Sequence, residues 1–365
     1  MSPETELDRG PTLTTRVKAL GHALGLDRIG VSSPGESAQT RFLSEWLDRG
    51  YAGGMAYMSA RSAERGSPER LMPGVKSVIS VALAHPAPVE TSGDSASNGT
   101  GRAVASYAGG EDYHDVLLDR VRALAAGVKA LAGHAVETRP YVDTGPVLER
   151  VFAARAGLGW QGKNTCLIDR ELGSRILLGV VLTDLELDFD RAEPDHCGTC
   201  RACIDACPTD ALVEPYVLDA RRCISYTTIE SRESTPPDLR AAQGDWIFGC
   251  DICQDVCPWN RKPDEKEQPD PLALRERLQP DPRWVRAELH WVLSLTEETW
   301  REATRGTALR RARFQGLMRN ALVAAGNSGD GSLRPLIARF SGGEDPLLVE
   351  HAEWALDRLP EAGLG

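Results

Sequence analysis

Residues 197–208 read CGTCRACIDACP and residues 250–258 read CDICQDVCP. In the first run Cys197, Cys200, Cys203 and Cys207 are followed by Pro208. That x2, x2, x3 spacing ligates iron–sulfur cubanes in bacterial ferredoxins, where the fourth cysteine reaches the other cluster. The second run supplies Cys250, Cys253 and Cys257 before Pro258 but lacks a first member. Cys223 is the spare cysteine nearby and takes that place. The spacing therefore predicts one [4Fe–4S] cluster on Cys197, Cys200, Cys203 and Cys257, and a second on Cys223, Cys250, Cys253 and Cys207. Structural zinc favours separated CxxC pairs or mixed Cys/His sets, and disulfides belong to secreted chains. The ninth cysteine, Cys166, reads as a small packed residue.

Outside this segment the composition is that of an ordinary globular chain of 365 residues, 41% hydrophobic and 26% charged. That length suggests two or three domains. No apolar run approaches the length of a membrane span. The first twenty residues carry no signal-peptide or transit-peptide character, so a cytoplasmic protein without membrane contact is expected. The net charge of −11 argues against a protein that coats nucleic acid with a uniformly basic surface.

Upstream of the cysteines the pattern alternates. Residues 12–25 and 40–49 have helical periodicity, 29–31 and 75–84 read as strands, and 113–132 carry Leu117, Val121, Leu124 and Val128 on one helical face. Residues 135–142 read as a strand, 147–156 as a helix and 176–183 as a buried strand. This predicts an α/β or α+β catalytic domain. Residues 85–102 read as a surface loop and 262–271 as a charged, proline-rich linker. Asp143 lies where the 135–142 strand gives way to a helix. It is placed either for function, since ligands gather at strand ends, or, with Thr144, to cap that helix. Gly157–Asn164 matches GxxxxGK, but Asn164 stands where a phosphate loop needs Ser or Thr, and a helix precedes it instead of a strand. Nucleotide hydrolysis is therefore rejected.

Residues 283–295, 297–304, 310–325, 332–340 and 347–359 read as short helices in HEAT-type pairs. Between 301 and 319 stand Arg301, Arg305, Arg310, Arg311, Arg313 and Arg319 against one acid, Glu302. Such a run is either a phosphate-binding face or an ordinary solvated helix face.

Taken together, Met55-Ala56-Tyr57-Met58 with Arg61 and Arg65, Tyr107 with Asp112-Tyr113-His114, 142–150 (VDTGPVLER), 156–165 (AGLGWQGKNT), the double cysteine pattern and Arg319-Asn320-Ala321 resemble the epoxyqueuosine reductases, which are related to reductive dehalogenases. The sequence departs from that family at Ser106 and Gly109-Gly110-Glu111, where more basic residues are usual. The resemblance implies an α+β protein with an α/β cobalamin-binding domain over 1–190, a ferredoxin-like two-cluster domain over 191–262 and HEAT-like helices over 263–365. It implies reduction of epoxyqueuosine to queuosine at the wobble position of tRNA, by a monomer fed by an external low-potential electron donor through two [4Fe–4S] clusters to cobalamin. The alternative is a dehalogenase-like reductase of a small molecule. By resemblance Asp143 is the proton donor, which requires partial burial to raise its pKa. Arg61, Arg65, Ser106, Tyr107, Asp143, Gly159, Trp160, Lys163, Asn164 and Thr165 would lie near cobalamin or the modified base, and the six arginines would hold tRNA phosphates.

Overall fold

The computed structural model describes residues 11–36, 38–86, 102–261, 269–286 and 288–361. Most of the expected 85–102 loop and most of the 262–271 linker lie outside these residues.

Strand β2 (Ser77–Ala84) is buried along its whole length because both of its faces are covered. Ile79, Val81 and Leu83 point to one side, where they meet helices α1 (Leu13–Ala23) and α2 (Tyr113–Ala132) through Val17, Leu117, Val121 and Leu124. Val78 and Ala82 point to the other, where helix α3 (Glu149–Arg155) brings Phe152 and Ala153. This is the period-2 alternation of a strand, and each fully buried Val, Ile or Leu contributes about 1.5–3 kcal/mol. The sheet order is β1 (Arg28–Ser32), β2, β4 (Ile176–Thr183), β3 (Thr138–Tyr141). Every ladder in it is antiparallel. The strand–helix alternation thus builds an α+β sheet and not the parallel βαβ arrangement of an α/β domain. The strand-end argument for Asp143 keeps its position in the fold but loses its parallel-sheet rationale. Gly179 in β4 is required by close approach: a Cβ there would stand 2.8 Å from the Val121 side chain of α2.

Helix α2 begins with Asp112 as N-cap, whose carboxylate accepts the His114 N–H, and ends at left-handed Gly133. That cap fixes the direction of the 112–114 side chains.

The C-terminal half is helical around α5 (Arg313–Ser328), buried from Gly316 to Gly326. It packs against α7 (Pro346–Arg358), which also contacts α6 (Arg334–Ser341). The helix expected over 283–295 is two pieces, Pro282–Arg286 and Leu289–Ser294. This core also takes in Ala103, Val104, Ala108, Ile247 and Phe248. Asn320 of α5 explains part of the join. Its amide donates to the carbonyls of Thr228 and Ile247, each at 2.8 Å. Thr228 lies in helix α4 (Ile224–Ile229), just after Cys223, and Ile247 lies just before Cys250. One buried side chain therefore braces both approaches to one set of cysteines.

Candidate active site and cluster centres

The nine cysteines carry free thiols, and eight of them gather in two groups. Burial first, then the nearby thiols of Cys257, Cys197 and Cys200, push Cys203 up to about 11. Those four also line one hollow with His196, Ile168 and Trp259. Cys250 is pushed up by burial and by Cys223 and Cys207, and Cys253 lies beside Cys250 and Cys223. Cys203 and Cys250, each crowded by neighbouring thiols, need cationic iron beside them to stand as thiolates, so the donor chemistry fits a cubane at each place. Among the described residues no three His, Cys, Asp or Glu side chains converge closely enough to share a single metal ion, as a structural zinc site would require.

The glycine-rich loop serves these centres. Gly159 has φ 149°, and a Cβ there would lie 2.1 Å from the Ile168 carbonyl oxygen, so only glycine closes the turn. Trp160 is buried against Cys257 and packs on Trp259 and His196, both at 4.9 Å. Lys163 Nζ donates to the carbonyls of Gly198 at 2.6 Å and Cys200 at 2.8 Å. Asn164 is buried, donating to the Cys253 carbonyl at 3.3 Å and accepting the Cys166 N–H at 3.2 Å. Trp160, Lys163 and Asn164, expected near cobalamin or the modified base, thus bond to or pack on the cluster loops. Thr165, at φ 66°, gives its carbonyl to Arg150. Cys166 hydrogen-bonds Cys253, a contact that spacing could not reveal.

Arg150 leads to the second centre, where Asp143 sits beyond β3 with φ 52°. Aspartate tolerates that conformation better than most residues. Its N–H is held by Glu149 Oε1 at 2.8 Å. Helix α3 has Leu148 at its N-cap and no side-chain cap bond, so Asp143 does not cap it. The Asp143 carboxylate instead accepts from His114 Nε2 at 3.0 Å and from the Tyr113 hydroxyl. Asp112 Oδ1 stands 2.6 Å from His114 Nδ1, and Tyr113 stacks on the imidazole with ring centroids 4.0 Å apart. Tyr107 meets Tyr113 edge-on at 5.6 Å.

The charges follow from this geometry. Burial alone would lower His114, but its bonds to Asp112 and Asp143 outweigh that and raise it to about 9. The hollow around Asp143 tends to lift its carboxyl, although the side chain is 61% accessible. His114, Tyr113 and Arg150 more than offset this and hold the carboxyl below its ordinary value. The expectation that burial keeps Asp143 protonated near neutral pH is therefore overturned. The pair holds one proton, and His114 carries it. Burial and the Asp143 charge push Glu149 up to about 8. His114 and Glu149 were visible in the sequence as parts of motifs, but no spacing rule marks a side chain that acts through another.

Around this mouth the arginines divide. Tyr57 is 43% exposed, with the guanidiniums of Arg65 and Arg311 each 5.7 Å from its ring centroid. Arg311 also grips Glu230 with two bonds, at 3.0 and 2.8 Å. Arg305, Arg310 and Arg313 are exposed, Arg301 pairs with Glu297, and Arg61 pairs loosely with Glu64 at 3.4 Å. Arg319 is 1% exposed and donates to the carbonyls of Thr227, Ser231 and Glu233. It is a brace of the fold and not an RNA contact, because α5 points it inward. Ser106 Oγ and Arg65 Nε are buried without a hydrogen-bond partner. Orphaned polar atoms at two of the positions expected near cobalamin fit a large ligand with a polar rim.

Residues 65–144 match the family described as "Epoxyqueuosine reductase QueG, DUF1730", and residues 196–260 match the "4Fe-4S double cluster binding domain". The chain is 40% identical over 354 residues to an epoxyqueuosine reductase of Pseudomonas aeruginosa, covering 96% of this chain and 95% of that one. It is similar to the crystal structure of an epoxyqueuosine reductase with an epoxyqueuosine-modified tyrosine tRNA stem loop. That match has a TM-score of 0.82 and 28% identity, and it covers 94% of this chain and 89% of the other. It is equally similar, at TM-score 0.82 and 27% identity, with the same coverage, to the Bacillus subtilis epoxyqueuosine reductase with its catalytic aspartate loop swung out of the active site.

Proposed function

The chain belongs to the epoxyqueuosine reductase family, and on that premise we propose that it reduces the epoxide of epoxyqueuosine at the wobble position of a tRNA anticodon loop, the last step of queuosine formation. Epoxyqueuosine reductases are oxidoreductases, and the two cubane clusters belong to that chemistry. The carrying observation is that Arg150, which acts on Asp143, bonds the Thr165 carbonyl at 3.2 Å beside Cys166. Arg150 acts electrostatically on Asp143 and on Cys166, which itself touches Cys253. The cluster on Cys207, Cys223, Cys250 and Cys253 is therefore the one nearer the reaction. The cluster on Cys197, Cys200, Cys203 and Cys257, with Cys200 exposed, is the one nearer an external low-potential donor.

Cobalamin, when bound, supplies the strongly reducing centre that the carbon–oxygen cleavage needs. Ser106 and Arg65 offer it unpaired polar atoms. Asp143 delivers a proton to the leaving oxygen, because an alkoxide leaves poorly unless protonated. Tyr57 offers a stacking face for an unpaired base, and Arg305, Arg310, Arg311 and Arg313 offer guanidiniums for the surrounding phosphates. The C-terminal helices act as HEAT-like repeats that present this rim. No helix among the described residues is long and apolar enough to cross a membrane. A dehalogenase-like reductase of a small molecule would have no use for this rim.

The test is an anaerobic assay with both clusters reconstituted, cobalamin, a strong reductant and tRNA bearing epoxyqueuosine, read by mass spectrometry of the digested nucleosides. Cobalamin-dependent loss of one oxygen is expected. No conversion at full cofactor occupancy would return the small-molecule reading.

A further inference from the structure

Reduction of an epoxide to an alkene consumes two electrons and two protons: both carbon–oxygen bonds break and the oxygen leaves as water. The clusters account for the electrons. The protons need named carriers, and the side chain assigned to deliver one is held as the anion. Resting on the functional reading above, we propose that His114 is the proton store of this site, oriented by Asp112, and that Asp143 passes its proton to the substrate oxygen.

The geometry carries the proposal. With Asp112 at 2.6 Å from Nδ1 and Asp143 at 3.0 Å from Nε2, both ring nitrogens face carboxylates, which is the setting of an imidazolium donating twice. Asp112 is fixed by its own role as N-cap of α2, and Tyr113 covers one face of the ring. The groups facing the pair are Asp112, Tyr113, Glu149, Arg150, Tyr57, Arg65 and Arg311, with Tyr107 behind Tyr113. Three arginines act on Asp143 electrostatically, but the groups that bond His114 directly are two carboxylates, so its own contacts favour a charged ring. In the transfer the Nε2–H bond of His114 breaks and a carboxyl O–H forms on Asp143. That O–H then breaks as the oxygen leaving the substrate takes the proton. His114 is left neutral, and its side chain is 29% exposed, so water can recharge it. His114 touches no substrate atom in this scheme. It is a positioning residue that sets the protonation state of Asp143.

The test uses the full-length enzyme with both clusters and cobalamin, and it compares wild type, His114→Gln and Asp112→Asn across pH. Glutamine still donates an N–H to Asp143 but stores no proton. Wild type is expected to hold its rate through neutral pH. In His114→Gln the alkaline limb should move acidward by at least about one pH unit, a tenfold or greater loss on the alkaline side, with iron content and cobalamin binding unchanged. Asp112→Asn should move the limb the same way by less. It also serves as the deciding variant if His114→Gln loads its clusters poorly. ¹⁵N-histidine NMR gives a readout independent of turnover: one imidazole should titrate well above the ordinary value of about 6.5, vanish in His114→Gln and fall in Asp112→Asn. Wild type that converts epoxyqueuosine, with variants whose alkaline limbs match it, would overturn the proposal and leave the function standing. Wild type that converts nothing would overturn the functional reading.

Discussion

Lys163 Nζ lies 2.8 Å from the carbonyl oxygen of Cys200, so the lysine of a GxxxxGK sequence holds a cluster loop and not a phosphate. Its second bond, to Gly198, fixes the other side of the same turn. Replacing Lys163 with Met keeps the aliphatic stem and removes both bonds, about 1–3 kcal/mol of local ordering. The cluster on Cys197, Cys200, Cys203 and Cys257 should become labile while the other persists. Iron per chain should fall from about eight towards about four on mild chelation. Iron that stays at the wild-type level would show that the loop does not depend on this contact.

Arg319 and Arg311 stand eight residues apart with opposite fates, and they should separate stability from RNA binding. Arg319→Lys puts its three donors on one nitrogen and cannot span the carbonyls that the guanidinium reaches from two. It should cost about 2–4 kcal/mol of stability and leave the salt dependence of tRNA affinity unchanged. Reversing charge at Arg310 and Arg311 should do the reverse. Stability should move little, while tRNA affinity falls and the slope of log affinity against log salt decreases by roughly one to two. Thermal unfolding and binding titrations at several salt concentrations read both effects. An Arg319 variant that changes the salt slope would put that side chain back on the RNA face.

Tyr57, exposed between Arg65 and Arg311, tests the stacking face. Tyr57→Phe keeps the ring and should bind tRNA as wild type does. Tyr57→Ala should lose about 1–3 kcal/mol of tRNA affinity with clusters intact. Equal losses in both variants would point to the hydroxyl and not to stacking.

The cluster framework was legible because iron ligation demands cysteines at fixed spacing, and that demand survives any detail of folding. Strands β2 and β4 were legible because burial on two faces leaves long apolar runs. Arg319 was misread because counting charges along residues 301–319 says nothing of where each points. Asn320, its neighbour, is buried for the same reason, and both bond carbonyls from distant turns. The partners of Lys163 were not legible because they are backbone carbonyls, which no residue pattern displays. His114 was quoted as part of a motif, but its importance lies in two carboxylates that the fold delivers from α2's cap and from the turn after β3. The antiparallel order of the sheet was hidden because strand–helix alternation does not set strand direction.

Glu149 gives a prediction in which the sign of a pH effect decides. Its carboxyl is pushed up to about 8, first by burial and then by the Asp143 charge, while in the unfolded chain it titrates near about 4.3. Below the unfolded value both states hold the proton, and Glu149 adds no pH dependence. As pH rises from there towards 8 the unfolded chain releases the proton and the folded chain keeps it, so stability falls across that window. Gln has the shape of the protonated acid, and its Oε1 can still accept the Asp143 N–H. Glu149→Gln should therefore raise the midpoint of thermal unfolding at pH 7.5 and leave it nearly unchanged at pH 4. Asp143 acts in the opposite sense and His114 in the same sense. The lowered carboxyl stabilises above its unfolded value and loses this as pH falls. The raised imidazole stabilises fully below about 6.5 and loses this as pH rises through about 9. Those contributions are common to wild type and variant and cancel in the comparison. A variant no more stable than wild type at pH 7.5 would mean that Glu149 ionises freely, and that the turn holding Asp143 keeps no second proton.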